Sequence, residues 1–105
     1  ESSKDIKERV EKARKIQRMR FKKYGLECNA QMTPKLVKKY CSLSQDGKEL
    51  IKLAFEQLAL SMRAHDRILK IARTIADLAD SQKIEAEHLA EAIQYRVLDK
   101  QSMFI

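Results

Sequence analysis

Residues 60–78, LSMRAHDRILKIARTIADL, put a cation where a helix start favours an acid. Ser61 is a good N-cap and the apolar residues after it recur at helical spacing, which predicts a helix beginning at Met62. Its first turn carries partial positive charge, so Arg63 there forgoes a few tenths to about 1 kcal/mol relative to a carboxylate. An external anion reverses that balance, because free helix N–H groups and a guanidinium together suit a phosphate. Arg67, one turn on, is a candidate to support such a site. The plain alternative is a surface Arg63 paired with Asp66 at i+3, worth under about 0.5 kcal/mol.

Other reactive types give weaker patterns. Cys28 and Cys41 stand thirteen positions apart, with His65 and His88 far downstream, and this fits no zinc pattern of closely paired ligands. Two half-buried thiols in a reducing cytoplasm are expected, with no metal site. The two histidines are expected as capped or partly exposed helix residues. Asp77 and Asp80 lie near a helix end with no His or second acid on one face, which does not suggest acid–base catalysis. Arg73 is expected to be structural.

The elements that must position these residues follow from composition and pattern. A chain of 105 residues with one Pro, two Gly, no Trp and 44% apolar residues predicts one all-α domain with an aliphatic core. The first helix, capped by Ser2 or Ser3, runs to about Lys23, and Ile6, Val10, Ala13 and Ile16 or Gln17 form a narrow apolar stripe. Its flanks, Arg9, Lys12, Arg14, Lys15, Arg18 and Arg20, should face solvent or a partner. Gly25 ends it in a left-handed C′ position, and residues 27–32 read as loop. Thr33-Pro34 starts a second helix to about Tyr40. Ser44 caps a third through Ala59, with Leu43 as a staple, Gly47 a weak point, and Leu50, Leu53, Ala54, Gln57 and Leu58 inward. The fourth, Met62 to about Ala79, has the broadest apolar stripe and should be central. Its other face carries Arg63, Asp66, Arg67, Lys70 and Thr74. A turn at 80–83 precedes a fifth helix, from Ile84 to about Leu98, and residues 99–105 read as a frayed tail. About five helices in a compact bundle are expected.

Charge is distributed unevenly. Residues 1–40 hold thirteen Lys and Arg against five acids, while the remaining 65 hold nine against ten. The whole net charge of +7 therefore comes from the front of the chain, which favours a polyanionic partner such as nucleic acid or a nucleotide phosphate. No run reaches the roughly 20 apolar residues of a membrane span. A soluble, cytoplasmic protein is expected, and the start at Glu-Ser-Ser without Met suggests a piece of a longer one.

RILKIARTIADLADSQKIEAEHLAEAIQYR resembles the end of the C-terminal lid domain of magnesium-chelatase-like AAA+ ATPases, especially the bacterial ComM/YifB type linked to natural transformation and DNA branch migration. The resemblance extends back through LSMRAHDRILKIA, NAQMTPKLVKKYC and RVEKARKIQRMRF, nearly the whole chain. It implies an AAA+ lid-like bundle in which Arg63 matches the sensor 2 arginine that reaches nucleotide phosphate. Arg14, in E-K-A-R-K, resembles the A-R pair of the first lid helix and is a candidate for a neighbouring subunit. The resemblance also implies ATP and Mg2+ bound mainly by an N-terminal core of the same polypeptide, neighbouring subunits of a homo-oligomeric, hexameric ring, and DNA as a candidate partner. The chain has no G-x-x-x-x-G-K-[ST] motif, so by itself it is not expected to hydrolyse ATP. Competing readings are an autonomous basic nucleic-acid-binding domain, a protein-interaction bundle, and the lid of a true magnesium chelatase subunit. Of the aromatics, Phe21, Tyr24 and Tyr40 are the candidates to stack on bases.

Overall fold

A computed structural model describes residues 2–102, with side chains as far as Tyr95. Five helices follow one another: α1 (Ser3–Phe21), α2 (Pro34–Tyr40), α3 (Gln45–Leu58), α4 (Met62–Leu78) and α5 (Ala86–Ser102). The starts obey local chemistry. Ser2, Thr33, Ser44 and Ser61 each accept from a backbone N–H three residues on, those of Asp5, Leu36, Gly47 and Ala64. Each bond satisfies a donor the helix start would leave unpaired. At α5 a histidine does this work, as the Glu85 N–H donates to His88 Nδ1 at 3.0 Å.

Several boundaries differ from the sequence reading. The α-helical part of α1 stops at Phe21, and Lys22–Tyr24 form a 3-10 turn before Gly25, which takes the expected left-handed conformation at φ 70°. The stretch read as loop contains a second 3-10 turn, Asn29–Gln31, where Gln31 Oε1 accepts from the N–H groups of Glu27 and Cys28. Helix α3 ends one residue early because Ala59 is left-handed at φ 50°. Helix α5 begins at Ala86 rather than Ile84, since Ile84 pairs with Leu43 in an isolated parallel bridge. It continues to Ser102, so residues 99–102 of the supposed frayed tail are helical, and 103–105 lie outside the described residues.

Helix α4 is central, as its stripe predicts. It packs most extensively on α5 and also touches α1, α2 and the 29–31 turn, while α3 leans on α5. Ile68, Ala72 and Ala76 are fully buried against Phe21, Leu89 and Ala92. The small residues at 64, 72 and 76 let neighbouring helices approach closely. Two inward assignments on α3 fail: Leu53 is half exposed and Gln57 exposed, whereas Ile51 is buried. Gly47 is buried because Leu43 lies over it, and a Cβ there would come within 3.3 Å of the Leu43 Cβ. Phe21 is sealed in the core, so it offers no face to a base. No helix among the described residues is long and apolar enough to cross a membrane.

Candidate functional site

Helix α4 carries three arginines with opposite fates, Arg63 and Arg67 near its start and Arg73 in its far half. Near its start, Arg63 and Arg67 are exposed and have no hydrogen-bond or ion-pair partner among the described residues. Asp66, the alternative partner of Arg63, instead meets His65 Nδ1 at 3.3 Å, and the His65 ring leans on Phe55 with centroids 5.4 Å apart. Ser61 Oγ takes the Ala64 N–H at 3.2 Å and Ser61 O takes that of His65 at 3.0 Å. The N–H groups of Met62 and Arg63 are left without an intrahelical acceptor, as at any helix start. The result is an open turn with two free backbone donors, one guanidinium on it and a second one turn later. It carries no acid in the first turn. Further along that face Lys70 Nζ donates to Ala30 O at 3.3 Å, and Thr74, expected outward, turns in to accept from Asn29 Nδ2 at 3.0 Å.

The far half of α4 holds the opposite arrangement. Asp77 is buried and takes a forked pair of bonds from Arg20, NH2 to Oδ1 at 2.8 Å and NH1 to Oδ2 at 2.9 Å. Arg73 approaches the same Oδ1 at 3.2 Å, and Asn29 Nδ2 donates to Oδ2 at 2.9 Å. Asn29 also accepts from Arg20 through its Oδ1, and its N–H donates to Gln17 Oε1. Arg73 donates to the carbonyls of Ser81 at 2.7 Å and Gln82 at 3.0 Å. Burial lowers the Arg73 pKa, and the facing Asp77 carboxylate opposes that shift. The network joins α1, the 29–31 turn, α4 and the 81–82 turn into one rigid block. Arg20, expected on the solvent flank of α1, belongs inside because it continues the Ala13, Gln17 row. Arg73 is structural, as expected.

Arg14 is exposed on α1, beside a shallow cleft lined by Gln17, Arg18, Glu27 and Cys28. The ion pairs of α1 fall at Asp77, near the end of α4, and at Asp80 just beyond it, which accepts from Lys12 Nζ at 2.7 Å. Arg63 is a whole helix length from those points, on the order of 20 Å at 1.5 Å per residue. Arg63 and Arg67 therefore share a face, and Arg14 does not join them. The thiols differ: Cys28 is half-buried, while burial pushes the Cys41 thiol up to about 11. Among the described residues no group of three or more His, Cys, Asp or Glu could hold a metal ion.

Comparison with known proteins decides what kind of domain carries this geometry. The family model described as "Magnesium chelatase, subunit ChlI C-terminal" matches residues 1–96. The chain belongs to this family. This chelatase-family domain is 41% identical over 98 residues to the competence protein ComM of Haemophilus influenzae, covering 93% of the chain and 18% of that protein. It is 40% identical over 100 residues to the uncharacterized protein YifB of Salmonella typhimurium, covering 95% of the chain and 19% of that protein. YifB of Escherichia coli is 38% identical over 100 residues, again 95% of the chain and 19% of the protein. The chain thus spans about a fifth of the length of these relatives. No solved structure matches it. The resemblance read from the four sequence segments is correct at the level of the family.

The sequence reading missed the polar network and one surface cluster. Tyr24 and Tyr40 meet edge to face with hydroxyls 3.3 Å apart, Lys39 Nζ donates to Tyr24 OH at 3.0 Å, and Lys23 lies over the Tyr24 ring. Those hydrogen bonds lower the Tyr24 phenol to about 8, and its contact with Tyr24 raises the Lys39 ammonium. The signals were present: Arg73 and Asp77 break the α4 stripe at i, i+4, and lysine–tyrosine pairs end both α1 and α2.

Proposed function

We propose that this domain is the lid of a ring-forming, magnesium-chelatase-like AAA+ ATPase of the ComM type, and that Arg63 is its sensor 2 arginine. In this reading an N-terminal core of the same polypeptide binds ATP and Mg2+. The lid reports the phosphate state to that core and to neighbouring subunits of a homo-oligomeric, hexameric ring. The motor acts on DNA in branch migration and natural transformation.

The observation that carries the reading is the open first turn of α4. Arg63 stands there without a counter-ion among the described residues, beside two free N–H groups. A γ-phosphate would supply the missing negative charge, and a guanidinium can take two of its oxygens at once. Because α4 is anchored at its far end by the Asp77 network, a pull on the Arg63 end moves the helix as a lever rather than unravelling it. ATP binding and hydrolysis then translate into lid angle. Arg67 supports the phosphate or pairs with an acid of the core. Arg14, remote from Arg63, serves a contact with a neighbouring subunit. The likeness to a competence protein at 41% identity favours DNA over a tetrapyrrole as the object of the motor.

The test is steady-state ATP hydrolysis by the full-length parent carrying Arg63→Ala, with and without DNA. The expected result is a fall of ten-fold or more, about 1.4 kcal/mol in the barrier, with folding and assembly intact. Unchanged turnover would make Arg63 a surface residue and end the sensor assignment.

A further inference from the structure

In the lysine–tyrosine cluster at the end of α1 and α2 the two rings pack against the core, while their hydroxyls and the neighbouring lysines are used neither by the core nor by the Arg63 turn. From Lys12 to Gln45 the sequence holds ten Lys and Arg and a single acid, Glu27. Two of the ten are matched internally, Lys12 by Asp80 and Arg20 by Asp77. Lys22, Lys23, Lys35, Lys38 and Lys39 are exposed and pair with no acid among the described residues. Two of them, Lys23 and Lys39, flank two half-buried tyrosines whose rings are already engaged. The Tyr24 centroid has Lys23 at 5.3 Å and Lys39 at 5.8 Å, and the Tyr40 centroid has Lys39 at 5.3 Å and Arg20 at 5.9 Å. Both rings also make edge contacts, Tyr40 with Phe21 as well as Tyr24.

This geometry has a definite donor balance. The Lys39 ammonium has three protons and each phenol one. Within the cluster one ammonium proton goes to Tyr24 OH and one phenol proton bridges the two hydroxyls. Two ammonium protons and one phenol proton remain for an acceptor outside, alongside all three protons of Lys23. The site is therefore a surplus of donors and positive charge around rings that cations already engage.

We infer that the surface formed by Lys23, Tyr24, Lys39 and Tyr40 binds the phosphate backbone of DNA. A phosphodiester offers closely spaced acceptors and one negative charge, which the leftover donors match. The cations already over the rings rule against base stacking, so the contact is independent of sequence and strongly dependent on salt. An acidic peptide is the less fitting occupant, because such partners add apolar anchors: of the exposed large apolar side chains, Leu53, Met62 and Tyr95 lie on α3, α4 and α5 and Ile6 at the far end of α1, which leaves Met19 alone toward this end. The inference rests on the proposed reading of the parent as a protein that acts on DNA. It adds a contact on the lid, distinct from the Arg63 turn.

The test is fluorescence anisotropy of a labelled 30-base-pair duplex with the full-length parent, titrated at several salt concentrations. The paired substitution Lys23→Gln/Lys39→Gln is expected to weaken binding about five-fold or more and to lower the slope of log affinity against log salt by about 2, near 0.9 for each lost phosphate contact. Lys23→Arg/Lys39→Arg should restore affinity to within about two-fold, since charge rather than ammonium shape carries the contact. Lys48→Gln/Lys52→Gln, on exposed α3 positions, should leave both quantities unchanged. If the glutamine pair binds with wild-type affinity and slope, this inference falls while the DNA reading stands. If the wild-type parent binds no DNA, both fall together. Loss of binding to a poly-glutamate peptide with DNA affinity unchanged would overturn the inference in favour of an acidic protein partner.

Discussion

Helix α4 carries arginines in both halves, and the two halves solve the same electrostatic problem in opposite ways. Arg73, with Arg20 from α1, shares the buried Asp77 carboxylate and two turn carbonyls. Arg63 and Arg67 share nothing among the described residues and stand in solvent. Exposure alone would not separate a functional arginine from an idle one. The separating features are the missing first-turn acid and the rigid anchor behind it. A cation set against the helix dipole costs stability unless something else neutralises it, whereas a buried cation must bring its own acid. The difference teaches that the buried end finds its acid within the chain, with Arg73 Nε left unpartnered among the described residues, whereas the exposed end finds no acid there at all.

The comparison breaks most easily at its buried half. Removing Asp77 leaves two guanidiniums facing each other in a site that excludes water, and breaking a buried pair in this way costs about 3–5 kcal/mol. Asp77→Ala is therefore expected to lower the urea midpoint of the chain sharply with little change in slope. A loss under about 1 kcal/mol would mean that water enters the site and that α4 is not anchored as described.

Much of this fold was legible because helix starts and stripes are local. Ser61 as cap, Pro34 at a first helical position, Gly25 as left-handed stop and α4 as centre all follow from residue type and spacing. What was not legible depended on partners far apart in sequence. Arg20 looks like another basic flank of α1 until Asp77, 57 residues away, is placed beside it. Asn29 looks like loop until it is found joining Gln17, Arg20, Thr74 and Asp77. The start of α5 was misjudged for the same reason, since it is set by the bridge between Leu43 and Ile84, residues far apart in sequence. The candidate site was read in a different way. Arg63 stood out through a conflict with helix electrostatics, and such local conflicts are where function is expected.

The buried half is sharpened by pH. Cys41 is deep in the core and burial raises its thiol to about 11 from an ordinary 9, although Arg73 and Arg20 pull the other way. A raised folded-state value means that the unfolded chain loses this proton first. Stability from Cys41 is thus fully present below pH 9 and declines as pH rises toward 11, by up to about 3 kcal/mol. Lowering of the Tyr24 phenol to about 8 acts with the opposite sign between pH 8 and 10. Urea unfolding at pH 9 and 11 should therefore show a smaller pH-dependent loss in Cys41→Ala than in the wild type. Equal losses would show that the thiol is reached by solvent and that the arginine network does not close the core.

The open end is sharpened by the smallest change. Ser61→Ala deletes the cap that holds the first turn of α4 while leaving Arg63 in place. Loss of a serine cap costs about 1 kcal/mol, a third or less of the Asp77 effect. Because the Ala64 N–H then lacks its acceptor, the turn frays and Arg63 spends less time aimed at one point. ATP turnover of the full-length parent should fall, but by less than for Arg63→Ala, and ATP at high concentration should recover part of the stability by binding the ordered form. If Ser61→Ala lowers stability and leaves turnover untouched, then Arg63 needs no fixed turn to act and the lever picture of α4 fails at its open end. If both change in proportion, the cap and the arginine work as one device, with the Asp77 block as its fixed point.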